Sequence, residues 1–596
     1  MYLSHIASPA DIKHLDRDAL PDLCREIRQA LLESSASVGG HIAPNLGVIE
    51  LTVALHRVFD SPHDKIVFDV SHQIYAHKAL TGRAQSFIDP AHYHDASGFA
   101  NPLESEHDLF AMGHTSTSIG LGVGLAHARD LMGASYDVVS VIGDGSLSGG
   151  LAFEGLDNAA ELDGGLIIVI NDNNQSIAEN HGGLYRNLAE LRATQGRAAN
   201  NFFCALGLDY RYLEAGNDVL ALVDALTELR GCEHPVVLHV HTVKGMGFAP
   251  AEADPEAWHH VGPFDIETGA KSAAHRPAHV DYAELTATHL IPRMERDRSI
   301  VAVNAATPYI MGFTPERRAA AGPQFVDVGI AEEHAVTYAT ALAAAGAKPV
   351  LGLYGTFLQR AYDELWHDLC LNAAPATILV YGSSVYGNTD QTHLGFFDIA
   401  MLGDMPGLRY LAPTGAEEYL AMLDWSLGQR EMPVAIRVPV AAAEAAGMPE
   451  GADLAAPRTV MRDYASASYQ VVREGSDVVI LALGDFFGKG MLLADELERR
   501  VGIRATLVNP RFINELDRDL LDELACTHRL IVTLEDGVLE GGWGEKVARY
   551  LGPCDVRVRC HGVHAGFPDR YDPEALLARN GMTIEAMAAD TLELLG

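Results

Sequence analysis

Two clusters of polar residues follow apolar runs that are typical of buried strands. Residues 138–142 lead into Gly143-Asp144-Gly145, and residues 166–170 lead into the polar run NDNNQ, 171–175. Glycine permits a tight turn and a close approach of the backbone to a ligand, and Asn and Asp favour turns, so two unrelated turns are one explanation. The other explanation is a cation site, because carboxylate and amide oxygens are hard ligands suited to Mg²⁺ with phosphate.

The second explanation requires that the two strands be neighbours in one sheet. The segment between them, residues 146–162, has a helical pattern. In a parallel α/β sheet, ligands bind beyond the carboxyl ends of the strands, so Asp144 and Asn173 would converge at one edge. A helix that begins near Ser146 could direct backbone N–H groups at the same anion.

The rest of the chain predicts the scaffold for such a site. Short apolar runs alternate with amphipathic helical patterns, which favours parallel sheets covered on both faces. Strands are predicted at 138–145, 166–172, 235–242, 348–355, 375–382, 477–485, 504–511 and 529–536. Linker-like composition at 267–281 and 441–459 divides the chain into α/β domains at 1–270, 280–440 and 460–596.

Composition restricts the class of partner. The chain has 596 residues, 80 acidic against 43 basic side chains, and a net charge of −37, which argues against nucleic acid or an anionic membrane as partner. The first residues have no apolar core with basic flanks, and no apolar run has the length of a membrane helix. Seven scattered cysteines without a C-x-x-C spacing indicate a reduced, cytoplasmic chain.

GDG followed after 25–30 residues by Asn resembles the signature of thiamine diphosphate enzymes. The resemblance implies that Asp144, the side chain of Asn173 and the backbone carbonyl of Gln175 bind Mg²⁺, with Gly143 and Gly145 beside the cofactor. Longer segments are similar to the 1-deoxy-D-xylulose-5-phosphate synthase family, within the wider transketolase superfamily: residues 37–83, 113–126, 243–265, 325–343, 354–368, 390–399, 511–517 and 566–573. The stretches DQTHLGFFD and TFLQRAYD favour the synthase branch.

This resemblance implies a transketolase-like fold with three α/β domains and a homodimer that binds thiamine diphosphate and Mg²⁺. The enzyme would decarboxylate pyruvate, transfer the two-carbon unit to an aldehyde and serve isoprenoid biosynthesis. Glu332 matches the glutamate that hydrogen-bonds N1′ of the cofactor's aminopyrimidine, and its neighbour Glu333 stands where the family usually has Gln. Phe357 matches the aromatic residue that stacks on the pyrimidine ring.

The resemblance also assigns polar residues around the substrates and the cofactor. Four histidines resemble those that line the reacting carbons: His41, His72, His259 and His393. Further cofactor contacts are implied for His72, Gly113, His114, Ser116 and Lys244, with Asn45 in the same polar wall and His77 among the aligned histidines. Substrate contacts are implied for Tyr354, Arg360, His393 and Arg437.

The sequence departs from the family pattern in three places. The segment 182–207 reaches the next helix quickly, so several tens of residues that cover the active site in the family are absent. Gly382 and Val440 stand where the family has two arginines that grip the phosphate of glyceraldehyde 3-phosphate. Because arginine forks are the usual phosphate clamp, we expect a different preference among acceptor aldehydes.

Two alternatives to this function remain open at this level. A transketolase-type transfer from a ketose would release no carbon dioxide from pyruvate. A non-catalytic relative kept for binding or regulation would have no need of Asp144, Asn173 and Glu332 together. A nicotinamide dehydrogenase is not indicated, because no G-x-G-x-x-G follows a strand at the start of a βαβ unit.

Overall fold

The computed structural model describes residues 2–271, 280–442, 461 and 463–596. These residues form three sheets in two compact units. The first unit comprises Met1–Arg276 with Val328–Ala331, and the second comprises Pro277–Asp327 with Glu332–Gly596. Both predicted linkers fall mainly outside the described residues, and the division into three domains at the stated boundaries remains a prediction.

The first unit contains a parallel sheet of five strands in the order β1-β2-β3-β5-β4. Its strands are β1 (Lys65–Phe68), β2 (Val138–Gly143), β3 (Ile167–Asp172), β4 (Asp209–Leu213) and β5 (Val236–His241). Every residue of β3 is buried, as expected for a strand covered on both faces by helices. The helices are Pro9–Lys13, Leu20–Val38, Ile42–Leu46, Ile49–Val58, Tyr75–Lys78, Gln85–Ile88, Ser118–Met132, Gly150–Ala159, Gly183–Ala193, Phe202–Ala205, Val219–Leu229 and Ala249–Ala253.

The second unit contains two sheets, of which the first has six parallel strands in the order β10-β11-β9-β8-β6-β7. These are β6 (Ile300–Asn304), β7 (Phe325–Asp327), β8 (Lys348–Tyr354), β9 (Thr377–Tyr381), β10 (Arg409–Leu411) and β11 (Val434–Arg437). The accompanying helices are Tyr282–Arg296, Pro315–Ala321, Glu332–Ala344, Gly355–Leu358, Asp398–Leu402 and Ala416–Gly428.

The other sheet of this unit has the order β12-β14-β13-β15-β16 and is parallel except where β12 meets β14. Its strands are β12 (Gln470–Arg473), β13 (Val478–Ala482), β14 (Thr506–Asn509), β15 (Leu530–Val538) and β16 (Arg557–Val563). The helices are Phe487–Val501, Arg518–Thr527, Trp543–Leu551, Pro573–Arg579 and Ile584–Leu595.

The predicted α/β class with mainly parallel sheets is confirmed, and all eight predicted strands form. The segment 146–162 differs slightly from the prediction, because a 3₁₀ turn, Gly145–Ser148, precedes the helix Gly150–Ala159. Among the helices of the described residues, none combines the length and the apolar character needed to cross a bilayer.

A buried ion cluster joins the two sheets of the second unit. Arg437, the last residue of β11, donates from Nε to Asp398 Oδ2 at 2.8 Å and from Nη2 to the carbonyl of Asp536, in β15, at 2.6 Å. Both carboxylates are buried, and burial raises the pKa of Asp536 to about 6. Removing the guanidinium would leave these carboxylates without their cation, which is the costly way to break a buried ion pair.

We therefore predict that Arg437→Met lowers the free energy of unfolding by about 3–5 kcal/mol. Arg499→Met is the matched control, because the Arg499 side chain is exposed and its pair with Glu496 lies on the surface. Denaturant unfolding of both variants measures the difference. Equal stability of the two variants would show that the cluster does not hold the sheets together.

Candidate functional site

The carboxyl ends of β2 and β3 bring the two predicted polar clusters together. The strands are parallel neighbours with Gly143 opposite Asn171. The backbone N–H of Gln175 lies 3.1 Å from Asp144 Oδ2 and 3.2 Å from Asn173 Oδ1. One donor therefore reaches both predicted metal ligands, and their side-chain oxygens meet at one point of the sheet edge.

The two buried aspartates at this edge are in different electrostatic environments. Asp172 pairs with Arg192 and accepts from His239 Nε2 at 2.8 Å, and these partners lower the pKa of Asp172 to about 2 despite its burial. Asp144 accepts from backbone and amide N–H groups, and burial followed by the nearby Asp172 charge raises the pKa of Asp144. Asp172 is thus a structural ion-pair partner. The hydrogen-bond donors to Asp144, by contrast, are neutral N–H groups.

Lys244 connects this edge to the predicted histidines. Its ammonium donates to the carbonyl of Ser176 and lies 3.2 Å from His259 Nδ1. Burial lowers the pKa of Lys244 to about 8, while the Asp144 carboxylate opposes that shift. The Lys244 ammonium, beside the His259 imidazole and influenced by the Asp144 carboxylate, could balance the charge of a bound phosphate.

Three predicted histidines form one cluster. The ring centroid of His72 lies 5.2 Å from those of both His41 and His259, and the centroids of His41 and His259 are 5.7 Å apart. Asn45 links the backbone of two of these histidines, because its amide donates to the backbone carbonyls of His41 and His72 at 2.7 and 2.8 Å. Asn45 is buried and positions this backbone, and its place in the polar wall remains a prediction.

A fourth imidazole in this cluster was not predicted. The His260 ring lies 4.6 Å from the His41 ring, closer than the other two. The only signal in the sequence is its place directly after His259.

His77, by contrast, is buried elsewhere, with one ring nitrogen 2.9 Å from His56 and the other 3.1 Å from Asp108. Both nitrogens of His77 are engaged within the fold, and a substrate contact is not supported.

Ser116 supports the turn that follows Asp144. The Ser116 hydroxyl donates to the carbonyl of Ser146 at 2.7 Å, and its N–H donates to Asp69 at 2.8 Å, with φ of +76°. Gly113 is buried and His114 is half-buried in the same segment. Asp69 was not predicted, although it orients this segment through a second bond, from the N–H of Ser118 at 2.9 Å.

In the second unit, Glu332 is the first residue of the helix Glu332–Ala344 and is buried. Burial raises the pKa of Glu332 to about 7, the Arg360 charge opposes this shift, and the Glu333 charge adds to it. The Arg360 guanidinium lies 3.4 Å from Glu332 Oε2. A substantial fraction of this carboxyl is therefore protonated near neutral pH.

Aromatic side chains line the edge beside β8. The Phe357 ring packs edge-on against Tyr354 and against His393, each with a centroid distance of 5.6 Å. His393 Nδ1 is 2.8 Å from the hydroxyl of Thr392. The fold brings these three predicted residues into one row, which could stack on a flat ring.

The predicted substrate contact of Arg437 needs correction, whereas that of Arg360 remains a prediction. Arg437 is buried and directed at Asp398 and Asp536, so the structure does not support its contact with a substrate. Arg360 lies against Glu332, which gives it a neighbour that no motif revealed.

Position 382 excludes a side chain for steric reasons. Gly382 has φ of +65°, a conformation that favours glycine, and a Cβ there would lie 2.9 Å from a ring carbon of Tyr354. At the other departure, the N–H of Val440 donates to the carboxylate of the buried Asp485 at 3.0 Å.

Comparison with known proteins identifies the family. Residues 3–200 match the family model described as 1-deoxy-D-xylulose-5-phosphate synthase, residues 278–444 the transketolase pyrimidine binding domain, and residues 467–587 the transketolase C-terminal domain. The 1-deoxy-D-xylulose-5-phosphate synthase 1 of Geobacter sulfurreducens is 39% identical over 634 residues, covering 99% of this chain and 96% of its own. The synthase of Heliobacterium modesticaldum is 38% identical, covering 96% of this chain and 91% of its own.

The chain belongs to the 1-deoxy-D-xylulose-5-phosphate synthase family. It is a transferase of the transketolase superfamily, and members of this family use thiamine diphosphate with a divalent metal ion. Among solved structures, a transketolase from Campylobacter jejuni is 15% identical, covers 97% of this chain and all of its own, and has a TM-score of 0.42. The family assignment rests on the sequence relatives.

The first unit of this family member fits the diphosphate end of the cofactor. Within the described residues no group of three or more His, Cys, Asp or Glu side chains could hold a metal, so a cation at this edge would need amide and carbonyl donors beside Asp144. Asn173 supplies such an oxygen. The backbone around Gly145 is also closely packed, since a Cβ there would lie 3.0 Å from Ser176.

We predict that Asp144→Asn abolishes metal-dependent binding of thiamine diphosphate, because the isosteric amide removes the only negative charge that this ligand set offers the cation. Asp157→Asn is the control, since Asp157 is exposed on the helix Gly150–Ala159. Isothermal titration with and without Mg²⁺ measures both. Tight, metal-dependent binding by Asp144→Asn would place the metal elsewhere.

Proposed function

We propose that this family member decarboxylates pyruvate and joins the two-carbon unit to an aldehyde. The observation that carries the proposal is the convergence of Asp144 and Asn173 on one N–H at the β2–β3 edge. Asp144, the Asn173 amide oxygen and the Gln175 carbonyl would hold Mg²⁺, and Lys244 would balance the diphosphate charge. Thiamine diphosphate supplies a C2 carbanion when bound.

Glu332 would hold a proton at N1′ of the aminopyrimidine, and its pKa of about 7 suits that role. Phe357 would stack on the same ring. The imidazoles of His41, His72 and His259 would donate to the oxygens of the reacting carbons, and the family resemblance assigns His393 the same role. Neutral imidazoles suit this role, and burial lowers the pKa of His259 far below its ordinary value.

The full-length relatives do not favour a transketolase-type transfer or a non-catalytic role. Their names describe a product that carries a 5-phosphate, so glyceraldehyde 3-phosphate is the reference acceptor. We propose a weaker preference for that phosphate in this chain. Positions 382 and 440 lack arginines, and a charge-assisted hydrogen bond from an arginine to a phosphate contributes roughly 1.5–3 kcal/mol.

The test is carbon dioxide release from pyruvate with a panel of phosphorylated and unphosphorylated aldehydes, followed by mass analysis of the products. We expect glyceraldehyde 3-phosphate to be favoured by less than about tenfold in kcat/KM, which is about 1.4 kcal/mol. A preference for glyceraldehyde 3-phosphate larger than this would contradict the proposed acceptor specificity and match that of an ordinary synthase. Absence of carbon dioxide release would reject the proposed donor.

Glu332→Gln should bind the cofactor but stop exchange of its C2 proton, because the diphosphate anchor is intact and the proton partner is removed. Glu333→Gln is the matched variant on the same turn. Since the Glu333 charge raises the pKa of Glu332, its removal should lower that pKa and shift the loss of activity with rising pH to lower pH.

Proton exchange followed by nuclear magnetic resonance, and pH profiles of activity, distinguish these two variants. Unchanged exchange in Glu332→Gln would remove this residue from the mechanism. A profile shift in the opposite direction for Glu333→Gln would contradict the electrostatic coupling.

We propose a homodimer in which Asp144 of one subunit and Glu332 of the other serve the same cofactor. Trp366 and Leu371 support an interface, because these large apolar side chains are 41% and 71% exposed near the helical turn Glu364–Cys370. Sedimentation at working concentration should give twice the chain mass. An active monomer would disprove the shared site.

The cytoplasmic location also remains a prediction.

A further inference from the structure

Two tyrosines meet at the carboxyl edge of the six-stranded sheet. Tyr354 ends β8, and Tyr309 lies in the 3₁₀ turn Pro308–Met311 that follows the neighbouring strand β6. Their hydroxyl oxygens are 3.4 Å apart, and Tyr309 is 46% exposed. This is the edge of a parallel sheet at which ligands bind. Tyr309 belongs to none of the motifs that the sequence indicated.

The turn that carries Tyr309 is held in place by two side chains. Asn304, at the end of β6, accepts from the N–H of Thr307 at 2.7 Å, and Asp327, at the end of β7, accepts from the N–H of Ala306 at 2.9 Å. Ala306 has φ of +58°, an uncommon conformation for a residue with a side chain. Fixed contacts on both sides direct the chain so that Tyr309 meets Tyr354.

Tyr354 lies beside the position at which the family motif has an arginine. β9 is the other neighbour of β8, and Gly382 follows its last residue. The Tyr354 ring lies where a side chain at position 382 would begin. The Tyr354 ring also packs edge-on with Phe357, which in turn contacts His393, so the pair continues the aromatic row of the candidate site.

The chemistry of this pair differs from that of an arginine fork. A phenol is neutral at pH 7 and both donates and accepts hydrogen bonds. Burial and the neighbouring Tyr309 raise the pKa of Tyr354 further. Arg360 and Arg437 already face carboxylates, those of Glu332 and Asp398 respectively. A phosphate dianion gains little here, whereas a hydroxyl can bond to both phenols.

We propose that Tyr309 is a specificity-determining residue which, paired with Tyr354, binds the uncharged hydroxyl end of a short hydroxyaldehyde acceptor. This inference rests on the proposed function. It assigns the acceptor class from the pair of neutral hydroxyl groups at this sheet edge, where the Tyr354 ring borders Gly382.

The experiment compares D-glyceraldehyde with glyceraldehyde 3-phosphate in the holoenzyme, with pyruvate as donor. Tyr309→Phe removes one hydroxyl group and keeps the ring. We expect kcat/KM for glyceraldehyde to fall about three- to tenfold, through KM, while the value for the phosphate stays within twofold. Tyr354→Phe should act in the same direction. Tyr550→Phe is the control, because its hydroxyl donates to Asp522 in an exposed contact between the helices Trp543–Leu551 and Arg518–Thr527.

The outcomes separate this inference from the proposed function. Carbon dioxide release from pyruvate by the wild type tests the donor chemistry independently of Tyr309. If release occurs and Tyr309→Phe changes both acceptors equally, or neither, Tyr309 does not determine specificity. If Tyr309→Phe fails to fold, as judged by circular dichroism, Tyr354→Phe decides by the same ratio. A wild-type preference for the phosphate of tenfold or more would also overturn the assignment.

Discussion

Parallel pairing of adjacent strands is the constraint on which the candidate site depends. In a parallel ladder every strand points the same way, so the residues after each strand collect at one edge. The pairing of Gly143 with Asn171 places Asp144 beside Asn173, although the two are far apart along the chain. In the six-stranded sheet, the same geometry gathers Tyr309, Tyr354 and Gly382 at the carboxyl ends of three strands that are adjacent in the sheet.

Within this frame, charge partners separate structural carboxylates from those available for chemistry. Asp172 and Asp398 are buried, and each has an arginine against it. Asp144 is buried among N–H donors, and burial raises its pKa. Glu332 has Arg360 at 3.4 Å, yet burial outweighs that charge and its pKa rises to about 7. An isolated buried carboxylate is costly, so it favours a proton, a metal ion or a ligand.

The sequence predicted eight of the sixteen strands in the described residues and the meeting of Asp144 with Asn173, because apolar runs and the parallel rule need only local information. The direction of Arg437 could not be predicted in this way. Its partners, Asp398 and Asp536, lie 39 and 99 residues away in the chain, and tertiary packing alone turns the guanidinium toward them. His260 was missed for a related reason. Its neighbour is the His41 ring, which is distant in the chain, and two consecutive histidines form no sequence pattern that predicts such a contact.

The replacement of arginine by glycine at position 382 has two consequences, one for phosphate binding and one for the packing of Tyr354. As sequence, glycine in place of arginine removes a phosphate-binding group. As structure, it is the condition for Tyr354 to lie where it does, because a Cβ would collide with the ring and the backbone has a positive φ. An arginine introduced at 382 alone would therefore displace Tyr354 before it could reach any phosphate. Positions 382 and 354 are therefore sterically coupled, because a side chain at 382 requires the Tyr354 ring to move.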